Sequence, residues 1–189
     1  MLSHKGTQTL HTPRLTLRRF TVADAQAMYE NWASDSRVTR FLMWQPHESA
    51  EATAQLLALW CEEYQKETYY NWVITMDGEP IGNISVVDLS ERSERAELGY
   101  SLGHAYWGRG IMTEAARAVI DFLFTAVGVN RVSISHAVEN PASGRVAQKC
   151  GLRFEGTKRE FFKAASGEFL DISDYGITRS DWLALQQQR

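Results

Sequence analysis

The predicted fold depends on residues 97–127, ELGYSLGHAYWGRGIMTEAARAVIDFLFTAV. Within this stretch the spacing of hydrophobic residues changes from the alternation of a strand to the period of a helix. Residues 97–102 alternate and are rich in strand-forming side chains, which predicts a β-strand. Gly103, Gly108 and Gly110 then punctuate a short loop. Beyond the loop, apolar residues follow a helical period along one stripe, at Ile111, Ala115, Ala118, Val119, Phe122, Leu123, Ala126 and Val127. The stretch therefore predicts a strand, a glycine-rich turn and a helix in succession.

This arrangement is suited to binding phosphate, because the free N–H groups in the first helical turn and the helix dipole both favour an anion. The stretch could be one of three phosphate-binding motifs or a turn that binds no ligand. A P-loop requires Lys and then Ser or Thr where Arg109 and Gly110 stand, and a dinucleotide fingerprint requires a third glycine where Thr113 stands. A coenzyme A pyrophosphate loop requires only Gly-x-Gly at the helix start, which Gly108 and Gly110 provide.

Composition limits the classes of function. The 189 residues suffice for one domain with a sizeable core, and 44% hydrophobic with 23% charged residues is ordinary for a soluble globular protein. A net charge of −3 without a polybasic run gives nucleic-acid binding no electrostatic support. Cys61 and Cys150 indicate free thiols in a reducing, cytoplasmic setting. We expect no membrane span, and no metal site because His47, His104 and His136 are scattered.

The rest of the pattern predicts short alternating elements. Strands are predicted at residues 14–20, 69–75, 80–87, 94–102, 131–138, 153–162 and 168–178, and helices after Thr21, Ser49, Gly110, Asn140 and Ser180. Asp77-Gly78 favours a tight hairpin turn, and Asn140-Pro141 is a strong helix start. Residues 35–48 are predicted to be a loop that either caps the core or forms one wall of an acceptor pocket.

Residues 100–115, YSLGHAYWGRGIMTEA, resemble the acetyl-CoA signature of the GNAT N-acetyltransferase superfamily, and more narrowly the branch of ribosomal-protein N-terminal acetyltransferases. The superfamily loop is Q/R-x-x-G-x-G/A; Ala105 replaces the Gln or Arg, and Gly108 and Gly110 fill the small positions. The resemblance extends from Thr12 to about Trp182. It implies a single α/β GNAT domain over residues 1–189, with a mostly antiparallel, splayed central sheet flanked by helices.

The resemblance also implies which residues hold acetyl-CoA. The strand ending at Leu102 should splay from the strand beginning at Arg131, with the pantetheine arm between them. One N–H on the first of these strands should face the thioester oxygen. The predicted coenzyme contacts are the backbone groups of Tyr100 and Leu102, the loop and helix start at Trp107, Gly108, Arg109, Gly110, Ile111 and Met112, and the second element at Asn140, Ser143 and Arg145.

Two catalytic residues are predicted by resemblance. Many GNAT enzymes use a tyrosine seven residues after the Asn as a general acid, but Ala147 stands there, and Ser143 resembles the serine of the ribosomal-protein branch. Ser143 is predicted to donate a hydrogen bond or a proton to the coenzyme sulfur, the alternative being that it satisfies amides in its own helical turn. Glu97 is the predicted base, the alternative being a structural carboxylate. A glutamate used by some relatives is replaced by Phe162.

The resemblance implies acetyl transfer from acetyl-CoA, as cosubstrate and without a metal, to a primary amine. The predicted acceptor is the N-terminal α-amine of a protein such as a ribosomal protein, since an α-amine is more often neutral at pH 7 than a lysine. The alternatives are a small amine, such as a polyamine, an amino compound or an antibiotic, and a non-catalytic coenzyme-A-binding module. The protein is expected to be a monomer or homodimer, with no nucleic-acid or membrane partner.

Overall fold

The computed structural model describes residues 2–187, and a mixed eight-stranded sheet forms its centre. The strands are Leu10–His11 (β1), Thr16–Arg18 (β2), Asn71–Met76 (β3), Glu79–Ser90 (β4), Arg95–Leu102 (β5), Arg131–Ala137 (β6), Arg153–Lys163 (β7) and Phe169–Thr178 (β8). Their spatial order is β1-β2-β3-β4-β5-β6-β8-β7. Every neighbouring pair is antiparallel except β5 with β6, which confirms the predicted mostly antiparallel sheet.

Helices cover both faces of the sheet. Those within residues 2–187 are Ala25–Met28 (α1), Ser36–Thr39 (α2), Ala50–Glu63 (α3), Ile111–Phe122 (α4), Pro141–Lys149 (α5) and Arg179–Gln186 (α6). Short 3-10 turns lie at Val22–Asp24 and His104–Tyr106, and π-helical turns at Tyr29–Ala33 and Leu123–Val127 extend α1 and α4. In this part of the chain, no helix is both long enough and apolar enough to cross a membrane.

The alternation of β3 shows how the two faces are divided. Trp72 and Ile74 join the large apolar cluster that contains the buried residues of α4 and α5. Val73, between them, points the other way and packs with the buried residues of α1 and α3. The sheet is therefore a central layer, with α4 and α5 on one face and α1 to α3 on the other.

The parallel pair β5 and β6 separates partway along its length. Pairing between the two strands runs from Arg95 with Arg131 to Leu98 with Ile134. Beyond that point β5 stays with β4 as far as Leu102, and β6 stays with β8 as far as Ala137. The result is the predicted splay, a wedge-shaped gap between the last four residues of β5 and the end of β6.

Local sequence signals fix most helix ends. Ser49 caps α3 by accepting from the Ala52 N–H at 3.2 Å, and Asn140 caps α5, whose first residue is Pro141. Gly151, with φ +87°, follows α5 in the left-handed region. These three helix boundaries were predicted from the same residues.

Some boundaries differ from the prediction. The first strand was predicted over residues 14–20 but spans only Thr16–Arg18, because the Arg14 N–H donates to Glu114 and the Phe20 N–H to the Tyr64 hydroxyl. Strand β1 has two residues, too few to show alternation. Segment 35–48 contains α2, and α6 begins at Arg179, one residue before Ser180, because Thr178 caps it.

Glu114, in the first turn of α4, fastens this helix to the loop between β1 and β2. One carboxylate oxygen accepts from the Thr12 hydroxyl at 2.6 Å and the Arg14 N–H at 3.0 Å, and the other accepts from the Arg14 guanidinium at 2.7 Å. Burial alone would raise the pKa of Glu114, but these hydrogen bonds and the charge of Arg14 outweigh it, and the pKa lies below the ordinary value.

We predict that Glu114→Gln lowers the free energy of unfolding at pH 7 by about 1–2 kcal/mol, since a charge-assisted pair becomes a neutral contact. A depressed folded-state pKa stabilises above the unfolded value of about 4.3, and that stabilisation is lost as pH falls through the folded value. The difference between the two proteins should therefore shrink in acid. Urea denaturation across this pH range measures it.

Glu63→Gln is the control, because the Glu63 pair with Lys66 is a surface ion pair within one turn. Such pairs contribute about 0.5 kcal/mol or less, so this variant should be nearly unchanged at every pH. An equal loss of unfolding free energy in both variants would show that the contacts of Glu114 with Thr12 and Arg14 do not stabilise the fold.

Candidate active site

The edge of β5 supplies backbone hydrogen-bonding groups to the gap. The Gly103 N–H donates to the Ile81 carbonyl on β4 at 2.8 Å, so Gly103 faces β4. Because antiparallel neighbours alternate, the N–H and C=O groups of Leu102 and Tyr100 point the other way, into the gap. These are the two residues predicted to contact the pantetheine arm; that contact stays a prediction.

Trp107 already uses two of the groups predicted for the coenzyme. Its indole N–H donates to the Leu102 carbonyl at 2.7 Å, and its backbone N–H donates to the His104 carbonyl at 3.2 Å. Because the Leu102 carbonyl is already bonded, the Leu102 N–H is the backbone group of Leu102 that is better placed to bind a ligand. The amides offered to a pyrophosphate begin at Gly108 rather than at Trp107.

The glycine loop has the shape that a phosphate requires. Gly108 and Gly110 have φ values of +74° and +75°, a region that side chains strain to enter. A Cβ built on Gly108 meets no atom within 4 Å, so the space above it is open. The side chains of Ile111 and Met112 are buried in the core, which leaves their amides at the helix start. The loop therefore has the open backbone that the predicted pyrophosphate contact needs; the contact itself stays a prediction.

The predicted basic contacts, Arg109 and Arg145, are both exposed side chains. Arg109 lies over the Tyr106 ring, and its carbonyl accepts from the Arg14 guanidinium at 3.1 Å. Arg14 thus braces the loop and lies 3.8 Å from the Cβ position of Gly110. Arg14 was missed in the sequence, because no local pattern links it to a loop 95 residues away.

Asn140 and Ser143 have different tasks in the first turn of α5. The Asn140 side chain accepts from the Ser143 N–H at 3.4 Å and caps the helix. The Ser143 hydroxyl instead lies 2.6 Å from the Tyr100 hydroxyl. The alternative in which Ser143 satisfies the amides of its own turn is therefore wrong, since Asn140 does this.

Tyr100 reaches α5 because its side chain lies on the face of β5 shared by Ala96 and Leu98, which packs against α4 and α5. Burial raises the pKa of the Tyr100 phenol far above its ordinary value, although the hydrogen bond to Ser143 opposes this. The phenol is therefore protonated at neutral pH. Only the backbone of Tyr100 was predicted to matter; the alternation of residues 96–102 already indicated this side-chain direction.

Glu97 and Ser143 are not brought together on one face. Glu97 lies between Ala96 and Leu98 on β5, so it projects from the opposite face to Tyr100 and Ser143. It is half-buried and pairs in register with Ser133 of β6, one residue before the strands separate. Its role as a base stays a prediction.

A cavity of about 320 Å³ lies between segment 35–48 and the β7–β8 turn. It adjoins the open end of the gap, because Ala137, the last residue of β6, packs with Phe41 and Phe162 beneath it. Its lining residues are Ser36, Thr39, Arg40, Phe41, Gln45, Pro46, Glu139, Ala165, Ser166, Glu168 and Leu170. Of the two bordering segments, 35–48 is the loop predicted either to cap the core or to form one wall of an acceptor pocket. Within residues 2–187, no cluster of three potential metal ligands occurs.

Comparison with known proteins agrees with this geometry. Residues 14–153 match the family described as Acetyltransferase (GNAT) domain. The uncharacterized N-acetyltransferase YoaA of Bacillus subtilis is 30% identical over 90% of this chain and 96% of its own. The putative ribosomal N-acetyltransferase YdaF of the same species is 27% identical over 89% and 93%. The spermidine N(1)-acetyltransferase of Escherichia coli is 26% identical over 80% and 79%.

A solved structure of a probable acetyltransferase superposes with a TM-score of 0.84 and 26% identity, covering 93% of this chain and 99% of that one. The sheet order, the splay and the glycine loop thus coincide with a family match over most of the chain. The chain belongs to the GNAT family and is an acetyl-CoA-dependent N-acetyltransferase.

Proposed function

We propose that this enzyme acetylates the N-terminal α-amine of a protein, with ribosomal proteins as the substrate class. The observation that carries the proposal is the apolar residue at the position where some relatives carry a catalytic glutamate. Phe162 stands there and packs in the apolar cluster around Ala137. Phe162 cannot accept a proton, so an acceptor amine that is already partly neutral at pH 7 suits the site better than a lysine amine does.

An α-amine meets that condition better than other primary amines. With a reference pKa near 8, roughly a tenth of it is neutral at pH 7, whereas a lysine amine near 10.4 is neutral at roughly the 0.04% level. The ratio of these fractions is more than about a hundredfold. YdaF, whose printed description is a putative ribosomal N-acetyltransferase, supports the same acceptor class.

In the proposed reaction, acetyl-CoA supplies an activated acyl group, and the chain positions it. The amides from Gly108 to Met112 hold the pyrophosphate, and the gap-facing groups of Tyr100 and Leu102 hold the pantetheine arm. Glu97, on the face opposite Ser143, accepts the proton that the attacking amine releases. Ser143 donates a hydrogen bond to the sulfur as the C–S bond breaks.

A second acceptor class, the polyamines, is favoured by the charges at the cavity. Glu139 and Glu168 line it against a single cation, Arg40, so a cationic amine is attracted there. The match to a spermidine N(1)-acetyltransferase points the same way.

A panel of acceptors distinguishes the two. We expect kcat/KM to be highest for a short peptide with a free N-terminus and no lysine. The same peptide with a blocked N-terminus and one lysine, and spermidine, should be at least about tenfold poorer. Thiol release measures the rate, and mass spectrometry locates the acetyl group. A preference for spermidine would establish the polyamine alternative instead.

We predict that Gly108→Leu lowers coenzyme A affinity at least about a hundredfold, because the new side chain fills the open space above the loop. Calorimetric titration measures the loss. Gly78→Leu is the matched control. Gly78 has φ +85° and equally open surroundings, but it lies in the β3–β4 hairpin. The substitution there imposes the same backbone strain without blocking a ligand. Equal affinities in both variants would contradict the loop assignment.

We predict that Glu97→Gln lowers kcat/KM by about a hundredfold or more near pH 7, because the general base is removed. The rise of rate with pH should then reflect acceptor ionisation alone, which the pH–rate profile measures. Glu160→Gln is the control, since Glu160 lies on β7 beside the position of the relatives' glutamate. An unaltered Glu97→Gln profile would favour self-ionisation of the amine.

A further inference from the structure

The strongest unassigned feature of the site is the contact that closes one face of the gap. Tyr100 belongs to β5, and Ser143 belongs to the first turn of α5, which follows β6. Their hydroxyl oxygens are 2.6 Å apart. Tyr100 lies two residues beyond the last β5–β6 pair, so the contact bridges the strands just where they have separated. Within the described part of the chain, the backbone pairing of β5 with β6 has already ended at this level.

The relative acidity of the two hydroxyl groups favours Tyr100 as the donor. The Tyr100 oxygen is 3.4 Å from the Ser143 carbonyl and 2.6 Å from its Oγ, so Oγ is the better acceptor for the phenol proton. A phenol is a stronger acid than an alkyl hydroxyl, and hence the stronger donor. With Tyr100 donating, the Ser143 proton points away from Tyr100 and is available to a third group.

Among residues 2–187, Tyr100 is the side chain that the Ser143 hydroxyl meets. Asn140 caps the helix, and Ser143 is 8% exposed, so little water competes for its proton. Ala147, one turn further on the same face of α5, carries no donor. The other titratable groups packed near this turn are His136 and Tyr175, whose side chains both lie against Gly144, and Cys150 at the end of α5.

We propose that Tyr100 is a positioning residue that fixes the Ser143 hydroxyl as a hydrogen-bond donor to the sulfur of coenzyme A. This inference rests on the proposed placement of the coenzyme in the gap. The amine nitrogen bonds to the thioester carbonyl carbon and the C–S bond breaks. The sulfur keeps the electron pair, and the proton of the amine passes to Glu97 on the other face. No proton leaves Tyr100, because its phenol holds a proton more tightly than a thiol, whose ordinary pKa is near 8.5. The pair stabilises a thiolate rather than protonating it.

The test measures the pKa of the coenzyme thiol in its complex with the enzyme, by ultraviolet absorbance of the thiolate. In the natural protein the bound thiol should titrate below free coenzyme A. Tyr100→Phe and Ser143→Ala should each move it back toward the free value, and the double variant should match Ser143→Ala alone. Turnover should fall about tenfold in each, while calorimetric coenzyme affinity changes less than about threefold.

Tyr175→Phe is the matched control. Tyr175 is a buried tyrosine beneath the same helix, but its hydroxyl accepts a hydrogen bond from Gln148 rather than from Ser143. This variant should leave the bound thiol pKa unchanged. Fluorotyrosine at position 100 preserves the shape and acidifies the phenol, so it should lower the bound thiol pKa further. This second variant tests the proposal even if Tyr100→Phe does not fold.

The possible failures are distinct. If the natural protein does not bind coenzyme A, the proposed site and this inference both fall. If Ser143→Ala shifts the thiol pKa but Tyr100→Phe and fluorotyrosine do not, Ser143 keeps its role and the Tyr100 inference is overturned. If neither residue shifts it, Ser143 does not meet the sulfur, and only the coenzyme site itself stands.

Discussion

The separation of β5 from β6 is the constraint on which the site depends. Two parallel strands that stop pairing leave a row of backbone donors and acceptors without ladder partners. The chain itself satisfies one of these groups, since the Trp107 indole N–H donates to the Leu102 carbonyl. The remaining groups face the gap, and in the proposed site the amides of the pantetheine arm pair with them as an added strand would. The glycine loop and both helix starts are arranged around the mouth of that gap.

Much of this architecture could be predicted because the signals that specify it are local. Gly108 and Gly110 need no distant partner to adopt left-handed conformations, and Asn140 followed by Pro141 starts a helix by its own chemistry. The change from alternation to helical period in residues 97–127 located β5 and α4 to within a residue or two. The sheet order, by contrast, came from the family resemblance, since a pattern of strands does not state which of them are neighbours.

What could not be predicted are contacts that depend on register and on long loops. Glu114 meets Thr12 and Arg14 about a hundred residues away, and no periodicity carries that information. Tyr100 meets Ser143 only because β5 and β6 part at Leu98 and leave the phenol room to reach α5.

The division of the proposed site between two faces gives the two ends of the reaction different groups. Acyl transfer creates two charge problems, one at the nitrogen that loses a proton and one at the sulfur that gains an electron pair. Alternation along β5 puts Glu97 on one face and Tyr100 with Ser143 on the other, so in the proposed reaction each problem meets its own group. If the phenol lay on the same face as Glu97, it could donate its hydrogen bond to that carboxylate. The alternation of β5 instead places the phenol on the other face, where it meets Ser143.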